Sequence, residues 1–241
     1  MTKTESQRRI TVLAYHHIGE PPPEYGSWYY VPKDVFTRQL RELSGLGWTV
    51  IDAATFVACL EDPDRLPARS ALITFDDAYR SVHDLAMPVL QSFQYPAVCF
   101  VPTDYVGAWN SWDEGTEPRA PICGWDELQA LLRAGVSIQA HGTSHTWLSL
   151  LDASRQKEEV QQSKLSIEAH LGGVVDLFAY PYSDAGEDRG KMAGLLEDTG
   201  YRAAFLCGGG PAAIEVPIRE RYHLDRIAMY PGTNLGQELS A

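Results

Sequence analysis

The order of apolar runs along the chain constrains its fold most strongly. Short runs predict strands over 10–15, 48–51, 71–75, 97–101, 136–140, 175–180, 203–206 and 224–230. Residues at helical spacing predict helices over 32–46, 53–60, 82–93, 125–134 and 188–199, with a long helix ending at 171. This α/β alternation is typical of parallel strands joined by right-handed crossovers. Seven or eight such units predict closure into a barrel, with a doubly wound open sheet as the alternative.

The pattern continues without a linker, repeat or low-complexity segment through the 241 residues. We therefore expect a single domain over residues 10–230. The polar start predicts a flexible tail over residues 1–9, and the loss of pattern near the end predicts a C-terminal tail over residues 231–241. The acidic stretch between Glu158 and Glu168 predicts a solvent-facing helix surface.

Composition and charge exclude several classes of partner. The formal net charge of −12 argues against nucleic-acid binding, which needs a basic surface. No run approaches the roughly 18 apolar residues of a membrane span. The apolar run at 10–15 is too short for the core of a signal peptide, so the sequence predicts a cytoplasmic protein.

Polar side chains with chemical potential follow several of the predicted strands. His16, Asp76, Asp77, His141 and Tyr182 each come at or just after a strand end. In a parallel barrel the carboxyl ends of the strands meet on one face, where catalytic residues collect. We therefore expect these side chains to form one site.

Two of these strand ends carry residues that suit a metal ion. Asp76 and Asp77 are adjacent on an extended segment, so their carboxylates point in different directions and need not share a role. His141 and His145 are four residues apart, a spacing that places both imidazoles on one face of a helical turn. Two histidines and a carboxylate make a common three-ligand set for a catalytic divalent metal.

Three segments together resemble a known family. They are TFDD at 74–77, HGTSH at 141–145 and FAYPY at 178–182. In order and spacing they resemble the polysaccharide deacetylases of the NodB-homology type, carbohydrate esterase family 4, over roughly residues 10–230. The YHHIG segment at 15–19 is similar to the branch that contains the poly-N-acetylglucosamine deacetylases. The resemblance implies a distorted (β/α)7-type barrel and a metal-dependent hydrolase that removes an N-acetyl group from a sugar of the N-acetylglucosamine type.

The resemblance also implies roles for individual residues. Asp77, His141 and His145 would bind the metal, Zn²⁺ being expected and Co²⁺, Ni²⁺ or Mn²⁺ being possible. Asp76 would be the catalytic base. A backbone N–H near Tyr182, after Pro181, would help to form the oxyanion hole. In this branch the catalytic acid is a histidine of the N-terminal Tyr-His motif, which favours His16 over His17 or His223.

The chain departs from the family pattern in its third motif. An arginine usually stands where this chain has Ala179, and we expect Arg226 to supply the missing charge beside Asp76. The aromatic Trp112, in the long loop over 102–123, is a candidate platform for a sugar ring. The substrate is expected to be a carbohydrate. An O-acetyl esterase, an amidohydrolase acting on a non-sugar, and a sugar-binding module without activity remain alternatives.

Overall fold

The computed structural model describes residues 8–209 and 213–239. Its strands are β1 (Arg9–Tyr15), β2 (His17–Ile18), β3 (Tyr30–Val31), β4 (Thr49–Val50), β5 (Arg69–Phe75), β6 (Ala97–Val101), β7 (Val136–Ala140), β8 (Leu177–Ala179), β9 (Ala203–Phe205), β10 (Ile214–Glu215) and β11 (Ile227–Ala228). Its helices are α1 (Lys33–Gly45), α2 (Ala53–Cys59), α3 (Met87–Phe93), α4 (Trp125–Arg133), α5 (Ala153–Leu171), α6 (Arg189–Thr199) and α7 (Leu235–Glu238).

The main sheet is parallel and runs in the order β1, β5, β6, β7, β8, β9. The segment around β11 lies between its two ends. β11 pairs in parallel with β1, and Leu224 forms a parallel bridge with Phe205 of β9. The sheet therefore curls back to its first strand with seven members, which confirms the predicted distorted (β/α) barrel over the doubly wound alternative.

Alternate side chains of these strands enter two apolar clusters, as the period of an extended strand requires. One cluster contains Ile10, Leu72, Phe100, Leu177 and Phe205, which come from five strands around the ring. It therefore fills the barrel interior. The other joins the opposite face of the strands to the surrounding helices. Burial on both faces explains why the strands are nearly continuous apolar runs rather than alternating ones.

The ends of the chain differ in part from the prediction. Of the predicted N-terminal tail, residues 1–7 lie outside the described residues, and β1 already begins at Arg9. The predicted last strand is shorter than expected, because the ladder covers only Ile227–Ala228. The predicted C-terminal tail is not free over its described part, since Leu235 of α7 is buried and the Gly236 N–H donates to Glu42 of α1.

None of the helices within residues 8–209 and 213–239 combines the length and hydropathy that crossing a membrane requires.

Candidate metal and catalytic site

The predicted site residues meet at the carboxyl ends of the barrel strands. His16 follows β1, Asp76 and Asp77 follow β5, and His141 follows β7. These side chains line one cleft of about 350 Å³, together with His145 and Tyr182. The prediction that strand-end residues form a single site agrees with this placement.

The backbone at the end of β5 separates the two carboxylates. Asp76 still bonds like a strand residue, since its N–H donates to the Tyr15 carbonyl at 2.9 Å. Asp77 then takes a left-handed conformation with φ of 68°, an unusual state for a residue other than glycine. This turn lets the two adjacent carboxylates face different partners.

Asp77 faces the two imidazoles. Its Oδ1 lies 3.0 Å from Nε2 of His145 and 3.3 Å from Nε2 of His141. One donor atom from each residue lies within 4.8 Å of the other two, and all three residues are buried. Asp77 Oδ1 nevertheless makes no hydrogen bond to any described residue. A buried oxygen without a hydrogen bond, beside two convergent nitrogens, fits a bound cation, and this donor set suits a divalent transition metal.

The two histidines are oriented by different contacts. Nδ1 of His141 donates to the Ala179 carbonyl at 2.7 Å, which directs Nε2 of this residue toward Asp77. The ring of His145 packs against Trp112, with 4.5 Å between centroids, and against the edge of Tyr182. Ala179, which stands in the place of the usual arginine, therefore contributes through its backbone.

The segment between the histidines is not the helical turn that the four-residue spacing predicts. Gly142 has φ of 72° and His145 has φ of 49°, so the chain forms an irregular loop. Glu159 of α5 holds this loop, because its carboxylate accepts the N–H groups of Thr143 at 2.7 Å and Ser144 at 3.0 Å. Glu159 is buried, so the prediction of a solvent-facing surface is wrong at this position.

Asp76 faces a different partner, Arg226. The guanidinium donates to both carboxylate oxygens at 2.7 Å, and both side chains are buried. The same guanidinium donates from Nε to the Leu206 carbonyl and lies over the Phe100 ring. Burial alone would raise the pKa of Asp76, but Arg226 outweighs it and holds this pKa below its usual value. Asp76 is therefore an ionised carboxylate with a fixed orientation.

Of the three candidate acids, His16 is the one whose imidazole lines the cleft. Its Nε2 lies 3.9 Å from Asp76 Oδ2, and burial lowers its pKa despite the neighbouring carboxylates. His17 packs instead against Tyr30, with 4.1 Å between ring centroids. His223 lies beside Tyr180 and lines a different depression, near Ala213–Asp225.

The cleft wall is aromatic, but not in the way predicted. Trp112 lies behind His145 and is absent from the cleft lining, so its place does not support a sugar platform. Trp147 and Tyr182 line the cleft and stack on each other at 4.6 Å with nearly parallel rings. Trp28 lines it as well. Pro181 is buried and starts the turn in which Tyr182 takes φ of 55°.

Sequence reasoning missed Trp147, Glu159 and the position of Asp113. Trp147 comes two residues after His145, which could have marked it as a cleft residue. Asp113 lines the cleft, and burial together with the Asp77 charge raises its pKa to about 6. Nothing in the local sequence distinguishes the buried Glu159 from its exposed neighbour Glu158.

The sequence is similar to several known proteins. YxkH from Bacillus subtilis is 25% identical over 230 residues, which cover 95% of this chain and 75% of that protein. The poly-β-1,6-N-acetyl-D-glucosamine N-deacetylase of Escherichia coli (strain K12) is 32% identical over 92 residues, which are 35% of this chain and 13% of that protein.

Solved structures show the same fold. The Streptococcus pyogenes deacetylase PplD has a TM-score of 0.81 at 19% identity and covers 97% of this chain, with 98% of its own chain matched. IcaB from Ammonifex degensii has a TM-score of 0.73 at 22% identity, with 93% of each chain covered. The polysaccharide deacetylase family model matches residues 64–204, more than half of the sequence. The chain thus belongs to the polysaccharide deacetylase family.

Proposed function

We propose that this enzyme hydrolyses the N-acetyl group of an N-acetylated amino sugar, in a glycan of the N-acetylglucosamine type, and releases acetate. The observation that carries the proposal is the division of the strand-end carboxylates. Arg226 donates to both oxygens of Asp76. Asp77 instead faces His141 and His145, and within the described part of the chain its Oδ1 has no hydrogen bond. Metal-assisted hydrolysis of an amide can use one carboxylate as a metal ligand and a second one, free of the metal, as the general base.

Asp77, His141 and His145 would hold a divalent ion, with Zn²⁺, Co²⁺, Ni²⁺ and Mn²⁺ as the candidates. When bound, such an ion lowers the pKa of a water molecule to about 7 and polarises a carbonyl group. These three residues have no other role in the reaction.

Asp76 is the proposed general base. Because Arg226 keeps its pKa low, this carboxylate accepts the proton of the attacking water only transiently. His16 is the proposed acid. Its pKa is lowered by burial, so it enters the reaction neutral and must gain a proton before it can protonate the leaving amine. Asp76 Oδ2 lies 3.9 Å from His16 Nε2, a gap that one water or a small shift closes, so the proton passes from Asp76 to His16.

This proton path accounts for the atoms of both products, acetate and the free amine. Water adds its oxygen to the acetyl carbon, the C–N bond breaks, and the proton taken by Asp76 reaches the amine nitrogen through His16. A backbone N–H at Tyr182, after Pro181, is assigned to the developing oxyanion, where one such donor is typically worth about 3–4 kcal/mol. Trp28 and Trp147, which line the cleft, offer ring faces to the sugar.

Acetate release is the direct test. We expect acetate from oligomers of N-acetylglucosamine, loss of release after chelation, and recovery on adding Zn²⁺ or Co²⁺. Acetylated xylan is the matched control, because it carries O-acetyl rather than N-acetyl groups. Release from acetylated xylan alone would show that the protein is an O-acetyl esterase instead. Full activity of metal-free protein would show that the reaction needs no metal ion.

A further inference from the structure

The backbone N–H assigned to the oxyanion lies in a strained turn after β8. Tyr182 and Ser183 are consecutive residues with left-handed backbone conformations, at φ of 55° and 57°. This conformation is unfavourable for residues other than glycine, so the surrounding structure must hold it in place. Because the turn sets the direction of the Tyr182 N–H, the contacts that hold the turn also position this donor.

The hydrogen bonds of the turn use two of its three successive N–H groups. The Ser183 N–H donates to the Tyr180 carbonyl at 3.1 Å, and the Asp184 N–H donates to the Pro181 carbonyl at 3.0 Å. The Tyr182 N–H makes no hydrogen bond to any residue that the structure describes, and Tyr182 lines the catalytic cleft. Of the three groups, the Tyr182 N–H is therefore the one available to a ligand.

The Ser183 side chain ties this turn to the residues that follow β9. Its hydroxyl accepts the Cys207 N–H at 2.7 Å and donates to the Cys207 carbonyl at 3.0 Å. The last backbone bond between the two strands lies just before this point, from the Tyr180 N–H to the Phe205 carbonyl at 3.0 Å. One hydroxyl group thus makes both bonds to Cys207 at the position where the backbone of the turn leaves the sheet.

The register of β8 with β9 shows what this hydroxyl replaces. The bonds of a parallel ladder are evenly spaced along the strands. Continued by one step, the ladder would direct the Tyr182 N–H to the Cys207 carbonyl and the Cys207 N–H to the Tyr180 carbonyl. The Ser183 hydroxyl bonds to both of these Cys207 groups instead. The Tyr182 N–H is thereby left in the cleft rather than used in the sheet.

Cys207 is itself held on both sides by the segment around the proposed base. The Gly208 N–H donates to the Arg226 carbonyl at 3.0 Å, and Nε of Arg226 donates to the Leu206 carbonyl at 2.8 Å. The same arginine pairs with Asp76. The residue that the hydroxyl binds is therefore fixed relative to the base, and through it the turn is fixed as well.

From these observations we infer that Ser183 is a positioning residue for the reaction. Its hydroxyl satisfies the backbone groups of Cys207 and so keeps the Tyr182 N–H directed at the oxyanion that forms on the acetyl group. Ser183 acts through Tyr182, because its own hydroxyl proton is donated to Cys207. The inference rests on the proposed deacetylase function and adds to it the side chain that sets the oxyanion donor in place.

The test measures acetate release from N-acetylglucosamine oligomers by the metal-loaded wild type, Ser183→Ala and Ser183→Gly. Without the hydroxyl, the Cys207 carbonyl competes with the oxyanion for the Tyr182 N–H. We expect kcat to fall by about 10–100-fold in Ser183→Ala, as a small misplacement of a catalytic group predicts. KM should stay within about twofold of the wild-type value, because the lost interaction is made in the transition state.

Ser183→Gly separates the hydroxyl from the backbone. Glycine adopts the left-handed conformation without strain, so a purely structural role predicts wild-type kcat in this variant, whereas the positioning role predicts the same loss as in Ser183→Ala. Ser163→Ala is the matched control, because the Ser163 hydroxyl also contacts two groups but lies on α5, outside the cleft lining. It should keep wild-type kcat and KM.

The outcomes separate this inference from the proposed function. Wild-type kcat in either Ser183 variant, with or without a change in KM, would overturn the role of Ser183 and leave the proposed function standing. An equal loss in Ser163→Ala would overturn it too, because the effect would then follow from removing any such hydroxyl. If the wild type releases no acetate from these oligomers, the proposed function and the inference both fail.

Discussion

The two halves of the catalytic cleft satisfy their charges in different ways. In the Asp76 half, Arg226 donates to both carboxylate oxygens, so the protein itself compensates the buried charge. In the Asp77 half, Oδ1 accepts no hydrogen bond from any residue that the structure describes, although two imidazole nitrogens lie within 3.3 Å. The first half is complete without a ligand and the second is not. Under the proposed function, adjacent residues of one motif would divide the work, Asp77 holding the ion and Asp76 accepting the proton.

The largest loss of activity that tests this difference between the two halves is expected on replacing His16. Its imidazole lies on the Asp76 side of the cleft, and a positioned acid or base contributes typically about 10²–10⁴-fold to rate. His16→Ala should therefore lower kcat by about that factor while metal content stays at the wild-type level. Steady-state kinetics and elemental analysis measure the two quantities. Loss of the metal from this variant would show that His16 belongs functionally to the Asp77 half, as a ligand or as a support of the metal site.

The next effect concerns the ion pair that completes the Asp76 half. Arg226→Met leaves a buried carboxylate without its cation, and breaking such a pair typically costs about 3–5 kcal/mol. We expect a loss of that order in the free energy of unfolding in urea, together with slower turnover. The double variant Arg226→Met, Asp76→Asn removes the uncompensated charge and should recover part of the stability. Unchanged turnover in Arg226→Met would show that this arginine does not position the base.

A smaller effect is expected in the loop that carries His141 and His145, the two histidines proposed as metal ligands. Glu159 accepts two of its N–H groups, and partners that orient ligands typically contribute about 10–100-fold to metal affinity. Glu159→Gln should weaken Zn²⁺ binding by about that factor, as measured by competition with a chelator. Glu158→Gln is the matched control, since Glu158 pairs with Arg155 at the surface of the same helix. Equal affinity in both variants would contradict the role assigned to Glu159.

The smallest expected effect concerns His17, which packs against Tyr30, whereas its neighbour His16 lines the cleft. Burial lowers the pKa of His17 to about 4, below the value of about 6.5 for a free histidine. Its neutral form therefore stabilises the fold above about pH 6.5, and this contribution is lost as the pH falls toward 4. His17→Phe keeps an aromatic ring and removes the titrating group. Between pH 7 and pH 4 the free energy of unfolding should decrease in both proteins, and the decrease should be smaller in the variant by about 1–3 kcal/mol. Parallel losses in the two proteins would contradict this.

Much of the fold could be predicted from the sequence because the barrel strands are buried on both faces. Burial of that kind leaves continuous apolar runs, as in β5 and β6, which are visible without tertiary information. The ends of the chain were harder, because α7 depends on its contact with Glu42 of α1 rather than on its own pattern.

The candidate site could be predicted where its residues form short motifs, as at Asp76–Asp77 and at His141 with His145. The residues that hold these motifs in place could not be predicted. Glu159 is buried by the packing of α5, and its sequence context matches that of its exposed neighbour. The loop at 141–145 is irregular because it is held by that carboxylate, which a spacing argument for a helical turn does not include. Trp147, rather than the predicted Trp112, lines the cleft, and the sequence could not show this because only the folded loops decide which ring faces it.

One experiment tests the division of the two carboxylates most directly. It measures metal content and acetate release in Asp76→Asn and Asp77→Asn, side by side. We expect Asp76→Asn to retain the metal at the wild-type ratio and to lose about 10²–10⁴-fold in turnover, as removal of a general base predicts. Asp77→Asn should lose both metal and turnover. Loss of the metal from both variants, or wild-type turnover in Asp76→Asn, would contradict the separate roles.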